Sequence, residues 1–426
     1  MAQLVEQSPS EAPVVIVGCG IAGAVLAKSL TKAGVQCTII EKEIEVPERF
    51  RGEILQAYGV AMLNMLGIAE PIYQENSSIV RKFQFIARDE HGLQESIFDT
   101  DESDDYFGHC LTCRHQDLYM KVRKLIREDP DVTFLEGWQF DNLRKTDDGQ
   151  WMVETHSLNE NAGSIKTPVV VGADGAKSRL HRLLPFETVS MPPETFLIGA
   201  IFESPDFQND TFLFLSEEDW LLYIFPVGDS CARIAFQARH TTIREYRKKS
   251  EAELTALLTE ITGRYGIKMR NSRIVESVQI MPIYRIRNQF SAIDRVHLIG
   301  DALGTVNPIT GHGMTIACHD ALQLSTYLRQ EVFAQGANGR GTTVANRHKL
   351  RAEGYRRLIE QYSDNMVSGF LGNSESSPLQ REALMYSVGL PLEPARIKEN
   401  PFVTEVVDLD AAIGASVSDS LAQLCM

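Results

Sequence analysis

A glycine motif set between an apolar strand pattern and a helix pattern constrains this chain more than any other feature. Residues 14–17 form a β-branched run that predicts a buried strand, residues 21–33 carry a small-residue helix pattern, and residues 37–40 predict a parallel strand. The turn between the first strand and the helix reads G-x-G-x-x-G, and an acid ends the second strand. Such glycines let the backbone approach a pyrophosphate at the helix N-terminus, and the acid accepts ribose hydroxyls. The unit predicts an adenine dinucleotide site formed by Gly18, Gly20, Ile21, Ala22, Gly23, Glu41 and Lys42.

Size and charge exclude several other classes of protein. With 426 residues, 43% of them hydrophobic, the chain can bury a large core and is too apolar to be disordered. Its formal charge of −15 argues against binding to nucleic acid or anionic lipid, since both require a basic surface. No apolar run reaches the roughly 20 residues of a transmembrane helix. Seven scattered cysteines and no signal peptide predict a cytoplasmic protein.

Two later segments indicate which dinucleotide binds. Gly300-Asp301-Ala302 follows a predicted strand at residues 296–299, and residues 308–314 then open a helix. An acid at a strand end can hold a ribityl hydroxyl, while a helix N-terminus faces the flavin and its pyrophosphate. These residues resemble the second FAD fingerprint of the flavoprotein monooxygenases, and Gly172–Ser178 resembles their third, Asp-Gly motif. The resemblance implies FAD contacts from Asp174, Asp301, Pro308, Gly311, Gly313 and Met314.

A finer resemblance is to the squalene monooxygenases of the same superfamily. Residues 52–56 read GEILQ where that family has GELLQ, and residues 308–317 read PITGHGMTIA where it has PLTGGGMTVA. The resemblance implies FAD contacts from Arg49 and Arg114 and a catalytic position for Gln56. His312 is the second candidate catalytic residue, because its imidazole could hydrogen-bond the flavin or the substrate. His312 stands where the family has a glycine, and the C-terminal membrane helices of the eukaryotic enzymes are not found.

The expected fold is α/β and contains three parts. Residues 1–82, 108–190 and 285–340 form a discontinuous, Rossmann-like FAD-binding domain, with a β-rich substrate domain inserted as residues 83–107 and 191–284. Residues 341–426 form a helical C-terminal region, with an amphipathic helix predicted at 347–370 and another helix at 403–424. Within the β-rich block, single strands are predicted at 83–97, 196–201, 211–215, 221–225, 233–238 and 274–280. The aromatic strand with Tyr223 and Phe225 is typical of the substrate-domain wall in this superfamily.

The resemblance implies an FAD-dependent monooxygenase. FAD is held non-covalently, and a C4a-hydroperoxyflavin transfers one oxygen atom of O2 to an apolar isoprenoid, polyketide or aromatic natural product. NADPH or NADH is the expected transient reductant, with a separate flavoprotein reductase as the alternative. In the family an arginine follows the serine of the third motif by three positions. Here His181 stands there, so Arg179 or Arg182 is the expected contact of the nicotinamide phosphates.

Two other functions stay open from the sequence. An FAD-dependent reductase of isoprenoid double bonds, similar to geranylgeranyl reductases, shares the fold and the Tyr-x-Phe-Pro strand. A non-catalytic prenyl-binding protein of the GDP-dissociation-inhibitor type has a related fold without flavin, which the intact Asp301 and Gly311-x-Gly313 disfavour. No metal is expected: Cys110 and Cys113 form a CxxC without a second ligand pair, and the acidic stretch 99–105 has no calcium-loop spacing.

Overall fold

The computed structural model describes most of the chain up to residue 367. The described residues are 7–46, 53–73, 76–89, 92–99, 109–203, 207–217, 220–228, 230–267, 272–332, 353–357, 359–361, 363, 364 and 367. The strands are, in chain order, β1 (Val15–Val17), β2 (Cys37–Glu41), β3 (Ile54–Leu55), β4 (Ser77–Val80), β5 (Lys82–Asp89), β6 (Gly92–Asp99), β7 (Cys110–Cys113), β8 (Val132–Glu136), β9 (Trp138–Lys145), β10 (Trp151–Ser157), β11 (Ala162–Thr167), β12 (Val170–Gly172), β13 (Thr188–Met191), β14 (Thr195–Glu203), β15 (Thr211–Glu217), β16 (Trp220–Pro226), β17 (Cys231–Arg239), β18 (Arg273–Pro282), β19 (Arg285–Asn288), β20 (Ala292–Ile293) and β21 (Val296–Leu298). The helices are α1 (Ile21–Thr31), α2 (Ala57–Leu66), α3 (Ala69–Tyr73), α4 (His115–Arg127), α5 (Leu180–Leu183), α6 (His240–Tyr246), α7 (Glu251–Arg264) and α8 (Gly313–Tyr327).

A parallel sheet carries the glycine motif. Its strand order is β20-β21-β12-β1-β2-β8, and every pairing is parallel except that of the edge strand β20. Side chains alternate across β1, so that Ile16 packs on the face covered by α1, α4 and α8, whereas Val15 and Val17 pack on the opposite face. The antiparallel sheet β11-β10-β9 covers that second face through Trp138, Trp151 and Ile165. The expected α/β class is confirmed.

A second, seven-stranded sheet has the order β18-β14-β17-β16-β15-β5-β6. In β14, Ile198 and Phe202 pack on the side covered by α6 and α7, and Leu197 and Ile201 face the other way. That other face joins one apolar cluster with Ile54, Ala57 and Ile309, which belong to the segments of the predicted flavin site. The alternation of the strands therefore produces one face covered by helices and one face turned toward the segments of the predicted flavin site.

One strand prediction was wrong. The pattern at 83–97 predicts a single strand, but the chain forms the antiparallel pair β5 and β6, with Lys82 opposite Asp99 and Asp89 opposite Gly92. The polar segment 88–92, Arg-Asp-Glu-His-Gly, separates the two arms and is the sequence signal for this reversal. The other strands predicted in the β-rich block are present as β14 to β18.

The C-terminal region is described in part. Its described residues between 353 and 367 are helical, as predicted for residues 347–370. The predicted helix at 403–424 and the acidic stretch after Asp99 lie outside the described residues. Among the helices that are described, none is both long enough and apolar enough to cross a membrane.

Candidate functional site

The glycine motif forms the expected tight turn between β1 and α1. Gly18 has a φ of +101°, and a Cβ atom there would lie 2.5 Å from the carbonyl oxygen of Ala173. A Cβ atom on Gly23 would lie 2.1 Å from the carbonyl oxygen of Gly18. Both positions therefore require glycine, the first for its left-handed conformation and the second for the close approach of α1 to the turn.

The N-terminus of α1 is a ready anion site. Its N-cap residue is Gly20, which has no capping side chain, and no acid lies in the first turn. The amides of Ile21, Ala22 and Gly23 have no acceptor within the helix, because the first N–H groups of any α-helix lack one. These amides and the positive end of the helix favour a phosphate group at this position.

Glu41 ends β2 beside the same turn. It is only 8% exposed, and its Oε2 accepts a hydrogen bond from the Cys19 N–H at 2.8 Å while Oε1 accepts one from the Glu43 N–H at 2.9 Å. The guanidinium of Arg123 lies between two acids, 3.5 Å from Glu41 and 3.8 Å from Glu136. The carboxylate is thus fixed against the phosphate turn. Lys42, in contrast, is exposed and lies 3.5 Å from Glu43.

The three predicted FAD segments converge. Gly18 contacts the backbone of Ala173 and Asp174, and a Cβ atom on Gly300 would lie 2.9 Å from the Cβ of Ala22. Asp301 is exposed in the 3-10 turn Gly300–Ala302 that follows β21. A second 3-10 turn, Pro308–Thr310, ends at Gly311 and leads into α8, whose first residues are Gly313 and Met314.

Gln56 and His312 meet at one carbonyl group. Gln56 Nε2 donates to the carbonyl oxygen of Thr310 at 2.9 Å, and His312 Nδ1 lies 2.6 Å from the same oxygen. Because a carbonyl oxygen only accepts, His312 carries its proton on Nδ1. Gln56 Oε1 also accepts a hydrogen bond from Cys110 Sγ at 3.0 Å. The two residues thus crosslink β3, β7 and the turn that precedes α8.

Burial sets the charge of the histidine. His312 is 3% exposed, and this burial lowers its pKa to about 4, an effect that the hydrogen bond to the Thr310 carbonyl only partly opposes. The imidazole is therefore neutral at pH 7. Burial also raises the pKa of the Cys113 thiol to about 12, so this residue of the CxxC pair stays protonated in β7. Within the described residues, no cluster of His, Cys, Asp and Glu could hold a metal ion.

Asp174 and the basic residues after it have separate roles in the structure. Asp174 Oδ2 accepts the Arg179 N–H at 3.0 Å, and burial raises the pKa of its carboxyl group. Arg179 Nη1 donates to the carbonyl oxygen of Phe140 at 3.3 Å. His181 Nε2 lies 2.7 Å from the carbonyl oxygen of Ala302, beside the Asp301 turn, and Arg182 is exposed.

A buried ionic triad links the GEILQ segment to the seven-stranded sheet. Arg233 of β17 is fully buried and forms a bidentate pair with Glu53, at 2.7 and 2.5 Å, and a third bond to Glu276 at 2.8 Å. Arg114, at the N-cap of α4, donates to Cys231 Sγ at 3.2 Å on the same strand. Sequence reasoning singled out Arg114 but missed Arg233, which stands in an otherwise apolar strand. Its charge within that strand was the available signal.

The predicted substrate residues lie on the apolar face of the same sheet. Tyr223 is 4% exposed, its ring contacts Phe212 and Phe214 edge-on, and Phe225 stacks on Phe212. The phenol of Tyr223 donates to Gln237 Oε1 at 2.5 Å. Gln237 Nε2 in turn donates to Thr195 at 3.0 Å and to Asn307 Oδ1 at 3.3 Å. This buried polar network joins the aromatic wall to the turn before Pro308.

A cavity adjoins this network. It has a volume of about 280 Å³ and is lined by Glu194, Thr195, Ile283, Arg285, Asn307, Asp364 and Val367. Asn307 Oδ1 also accepts the Ile309 N–H at 3.0 Å, which directs the amide nitrogen of this residue away from the turn. In the described part of the chain, that nitrogen has no acceptor.

The residues present fit FAD. The glycine turn leaves backbone N–H groups free at the N-terminus of α1, and Asp301 stays exposed across from them. Two buried oxygens, Asp174 Oδ1 and Thr310 Oγ1, have no hydrogen-bond partner among the described residues. Buried polar atoms are normally paired, so these two mark positions where a polar ligand group is missing. Arg49 lies outside the described residues.

Fold and site together define a dinucleotide-binding α/β protein of the flavoprotein type. A family model described as "FAD binding domain" matches residues 11–357, and the chain belongs to this family of FAD-binding proteins.

Comparison with curated proteins confirms the resemblance to squalene monooxygenases. The chain is 24% identical to the squalene monooxygenase of Mus musculus over 315 residues, which are 72% of this chain and 53% of the mouse protein. It is 21% identical to the squalene epoxidase erg1 of Schizosaccharomyces pombe over 323 residues, 75% of this chain and 69% of that protein. The chain spans about half the length of the mouse and rat relatives.

Solved structures share the fold. PqsL from Pseudomonas aeruginosa, described as a probable FAD-dependent monooxygenase, superposes with a TM-score of 0.73 at 19% identity, covering 88% of this chain and 99% of PqsL. The p-nitrophenol 4-monooxygenase PnpA from Pseudomonas putida superposes with a TM-score of 0.72 at 18% identity, covering 96% of this chain and 99% of PnpA.

Proposed function

We propose that this protein is an FAD-dependent monooxygenase that inserts one oxygen atom of O2 into an apolar natural product, by epoxidation or hydroxylation. The observation that carries the proposal is the apolar cluster on one face of the seven-stranded sheet. In it, aromatic side chains of that sheet share one buried cluster with Ile54, Ala57 and Ile309, which lie in or beside the predicted flavin segments. An apolar substrate held there would lie beside the cofactor and away from water.

FAD supplies the redox and oxygen chemistry when it is bound. The chain contributes the amides of Ile21 to Gly23 for the pyrophosphate, Glu41 for the ribose and Asp301 for the ribityl chain. Gly313 and Met314 at the N-terminus of α8 would face the flavin ring, where the positive end of the helix stabilises negative charge. Asp174 Oδ1 and Thr310 Oγ1, both buried and unpaired among the described residues, would then gain partners.

Gln56 and His312 act in this proposal by fixing the flavin-facing turn. Both donate to the Thr310 carbonyl, so they hold the peptide groups from which α8 begins. The neutral imidazole adds no positive charge to the buried site. Such positioning suits a reaction in which the cofactor delivers the oxidant and the protein excludes water.

The substrate class follows from the lining of the site. Tyr223 and Phe225 would form the aromatic wall for an isoprenoid, polyketide or aromatic skeleton. The adjoining cavity is more polar, and Asn307 is one of the residues that line it. Its amide nitrogen can donate a hydrogen bond to a ligand, which favours a substrate that carries a carbonyl or hydroxyl oxygen over a bare hydrocarbon.

Electrons would come from NADPH or NADH, or from a flavoprotein reductase. Arg179 is engaged with Phe140 and lies 3.7 Å from Asp141, whereas Arg182 is exposed. Arg182 is therefore the better candidate for a transient contact with nicotinamide phosphates. Anaerobic stopped-flow mixing with NADPH separates the two routes. Bleaching of the flavin within seconds indicates direct reduction, and bleaching only after a reductase is added indicates a partner.

Ligand titration of the purified protein tests the proposal as a whole. We expect a yellow protein whose flavin spectrum shifts when geranylgeraniol is added, and shifts less with squalene, which lacks an oxygen. A colourless protein that binds geranylgeraniol would instead indicate the prenyl-binding alternative. Saturation of the polyene by the reduced protein, without oxygen uptake, would indicate the reductase alternative.

A further inference from the structure

The turn that carries Asp301 is held from outside the predicted FAD segments. Arg356, in the C-terminal helical segment 353–367, donates from Nη2 to the carbonyl oxygen of Gly300 at 3.1 Å and from Nη1 to that of Gly304. Arg356 is 7% exposed. Its guanidinium therefore bridges both ends of the turn that displays Asp301.

A second buried residue completes the contact. Asp320 of α8 is 2% exposed, and its Oδ2 accepts both the Gly300 N–H, at 3.0 Å, and a hydrogen bond from Arg356 Nη2. The N–H of Gly300 thus donates to Asp320, and its carbonyl oxygen accepts from Arg356. We call Asp320 and Arg356 the turn clamp.

Packing sets the position of the clamp. Tyr355 and Ile359 are buried in one cluster with Ile316 of α8, and the ring of Tyr355 contacts those of Tyr58 and His319 at 5.8 and 4.8 Å. The segment is also tied to β19, since Arg285 pairs with Asp364 at 2.8 Å. Arg356 therefore reaches the turn from a helix that is anchored on both sides.

Charge gives the clamp a second effect. Asp301 and Asp320 lie close enough to repel each other, and Arg356 pairs with Asp320. Burial raises the pKa of the Asp320 carboxyl group and Arg356 opposes this effect, so the guanidinium favours the ionised carboxylate that accepts the Gly300 N–H.

We propose that Arg356 and Asp320 are positioning residues for FAD, and that the C-terminal helical segment is consequently part of the flavin site. The clamp fixes the Gly300–Gly304 turn in the shape that presents Asp301 to the ribityl chain. This inference rests on the proposed placement of FAD at Asp301. Preorganisation of this kind raises affinity because the turn is already ordered when the ligand arrives.

Titration of folded apoprotein with FAD tests the clamp. Arg356→Met is expected to weaken FAD binding by about tenfold, the factor that results if the turn adopts its binding shape only about one tenth of the time without the clamp. Arg356→Lys keeps the charge but loses the bidentate geometry, and should recover part of the affinity. Arg357→Met is the matched control, because Arg357 is exposed and lies 3.7 Å from Glu353. It should bind FAD as the wild type does.

Three further measurements distinguish the possible causes of a loss of FAD affinity. Thermal unfolding of each apoprotein separates a loss of folding from a loss of affinity, and Asp320→Asn provides a milder variant if Arg356→Met does not fold. In the double variant, the effects of Asp320→Asn and Arg356→Met should be clearly non-additive. Asp301→Ala, titrated in parallel, should lose FAD. If Asp301→Ala retains FAD, the placement of FAD is wrong. If Asp301→Ala loses FAD while the Arg356 and Asp320 variants bind FAD as the wild type does, only the role of the turn clamp is overturned.

Discussion

At the scale of single residues, Glu41 is the side chain whose position most directly links the parallel sheet to a nucleotide. Its carboxylate is buried at the end of β2 and already bonded to the backbone of the phosphate turn at Cys19. Removing it takes away both the expected ribose acceptor and a bond that shapes the turn.

Glu41→Ala should therefore weaken FAD binding by roughly tenfold or more, since a charge-assisted hydrogen bond in a partly desolvated site contributes about 1.5–3 kcal/mol. Equilibrium titration of the apoprotein, with circular dichroism to check folding, measures the effect. Glu41→Gln keeps the shape and should lose less. Unchanged FAD retention in Glu41→Ala would rule out the ribose assignment.

His312 gives a prediction for the dependence of stability on pH. Its pKa of about 4 in the folded protein is below the ordinary value of 6.5, so the unfolded chain binds more protons between these pH values. The contribution of His312 to stability is complete above about pH 6.5 and falls as the pH drops toward 4, by on the order of 3 kcal/mol. Burial also lowers the pKa of His297, so this residue contributes to stability with the same dependence on pH.

Urea unfolding of the apoprotein at several pH values tests this prediction. His312→Gln, which keeps a donor but does not titrate, should lose stability less steeply between pH 6.5 and 4 than the wild type. Equal slopes in the two proteins would mean that the pKa of His312 is the same in the folded and the unfolded chain.

At the scale of elements, the contact between the start of β3 and β17 depends on buried charged side chains. Arg233 is fully buried between Glu53 and Glu276, so its removal leaves two carboxylates without a cation. Breaking a buried ion pair by deleting one partner typically costs about 3–5 kcal/mol.

Arg233→Met should destabilise the protein by about that amount in urea unfolding, and the triple variant with Glu53→Gln and Glu276→Gln should be closer to the wild type because it buries no unpaired charge. If the single and triple variants are equally unstable, the loss comes from packing and not from charge.

The elements that carry motifs could be predicted from the sequence for a physical reason. Around Gly18 and Asp301, short buried strands, glycine turns and helix starts are all encoded within a few neighbouring residues. Arg233, Gln237 and Arg356 act through partners that are remote in sequence, such as Glu53 and Gly300. The charge of Arg233 within β17 marks the residue as unusual, but a local pattern does not identify its partners. The hairpin of β5 and β6 had a local signal in the polar segment 88–92, which the prediction of one strand at 83–97 overlooked.

At the scale of the whole molecule, one apolar cluster joins one face of the seven-stranded sheet to β3, β4, β7 and the turn before α8. The GEILQ segment, the turn before α8 and the aromatic wall all contribute to it, and the Tyr223–Gln237–Asn307 network crosses the same joint. A substrate bound there would separate apolar surfaces that otherwise pack on each other, which is why an apolar skeleton is expected.

Tyr223→Phe tests whether the aromatic wall only stabilises the fold or also contributes to the flavin site. The variant removes a hydroxyl that donates to Gln237 and leaves the ring in place. We expect a loss of stability of about 1–3 kcal/mol, since it leaves a buried amide oxygen unpaired, with FAD affinity nearly unchanged. A large loss of FAD affinity would show that the aromatic wall contributes to the flavin site itself.

Isotopic labelling of oxygen tests the central claim, that a flavin held by the three segments transfers oxygen to an apolar substrate in the adjoining cluster. The reduced holoenzyme is mixed with a total lipid extract of its native host under labelled dioxygen, and the products are analysed by mass spectrometry, with Asp301→Ala as the control. We expect the wild type to form a lipid product that carries one labelled oxygen atom, and we expect this product to be absent with Asp301→Ala. Flavin reoxidation that yields only hydrogen peroxide, or lipids that have gained two hydrogens and no label, would contradict the central claim.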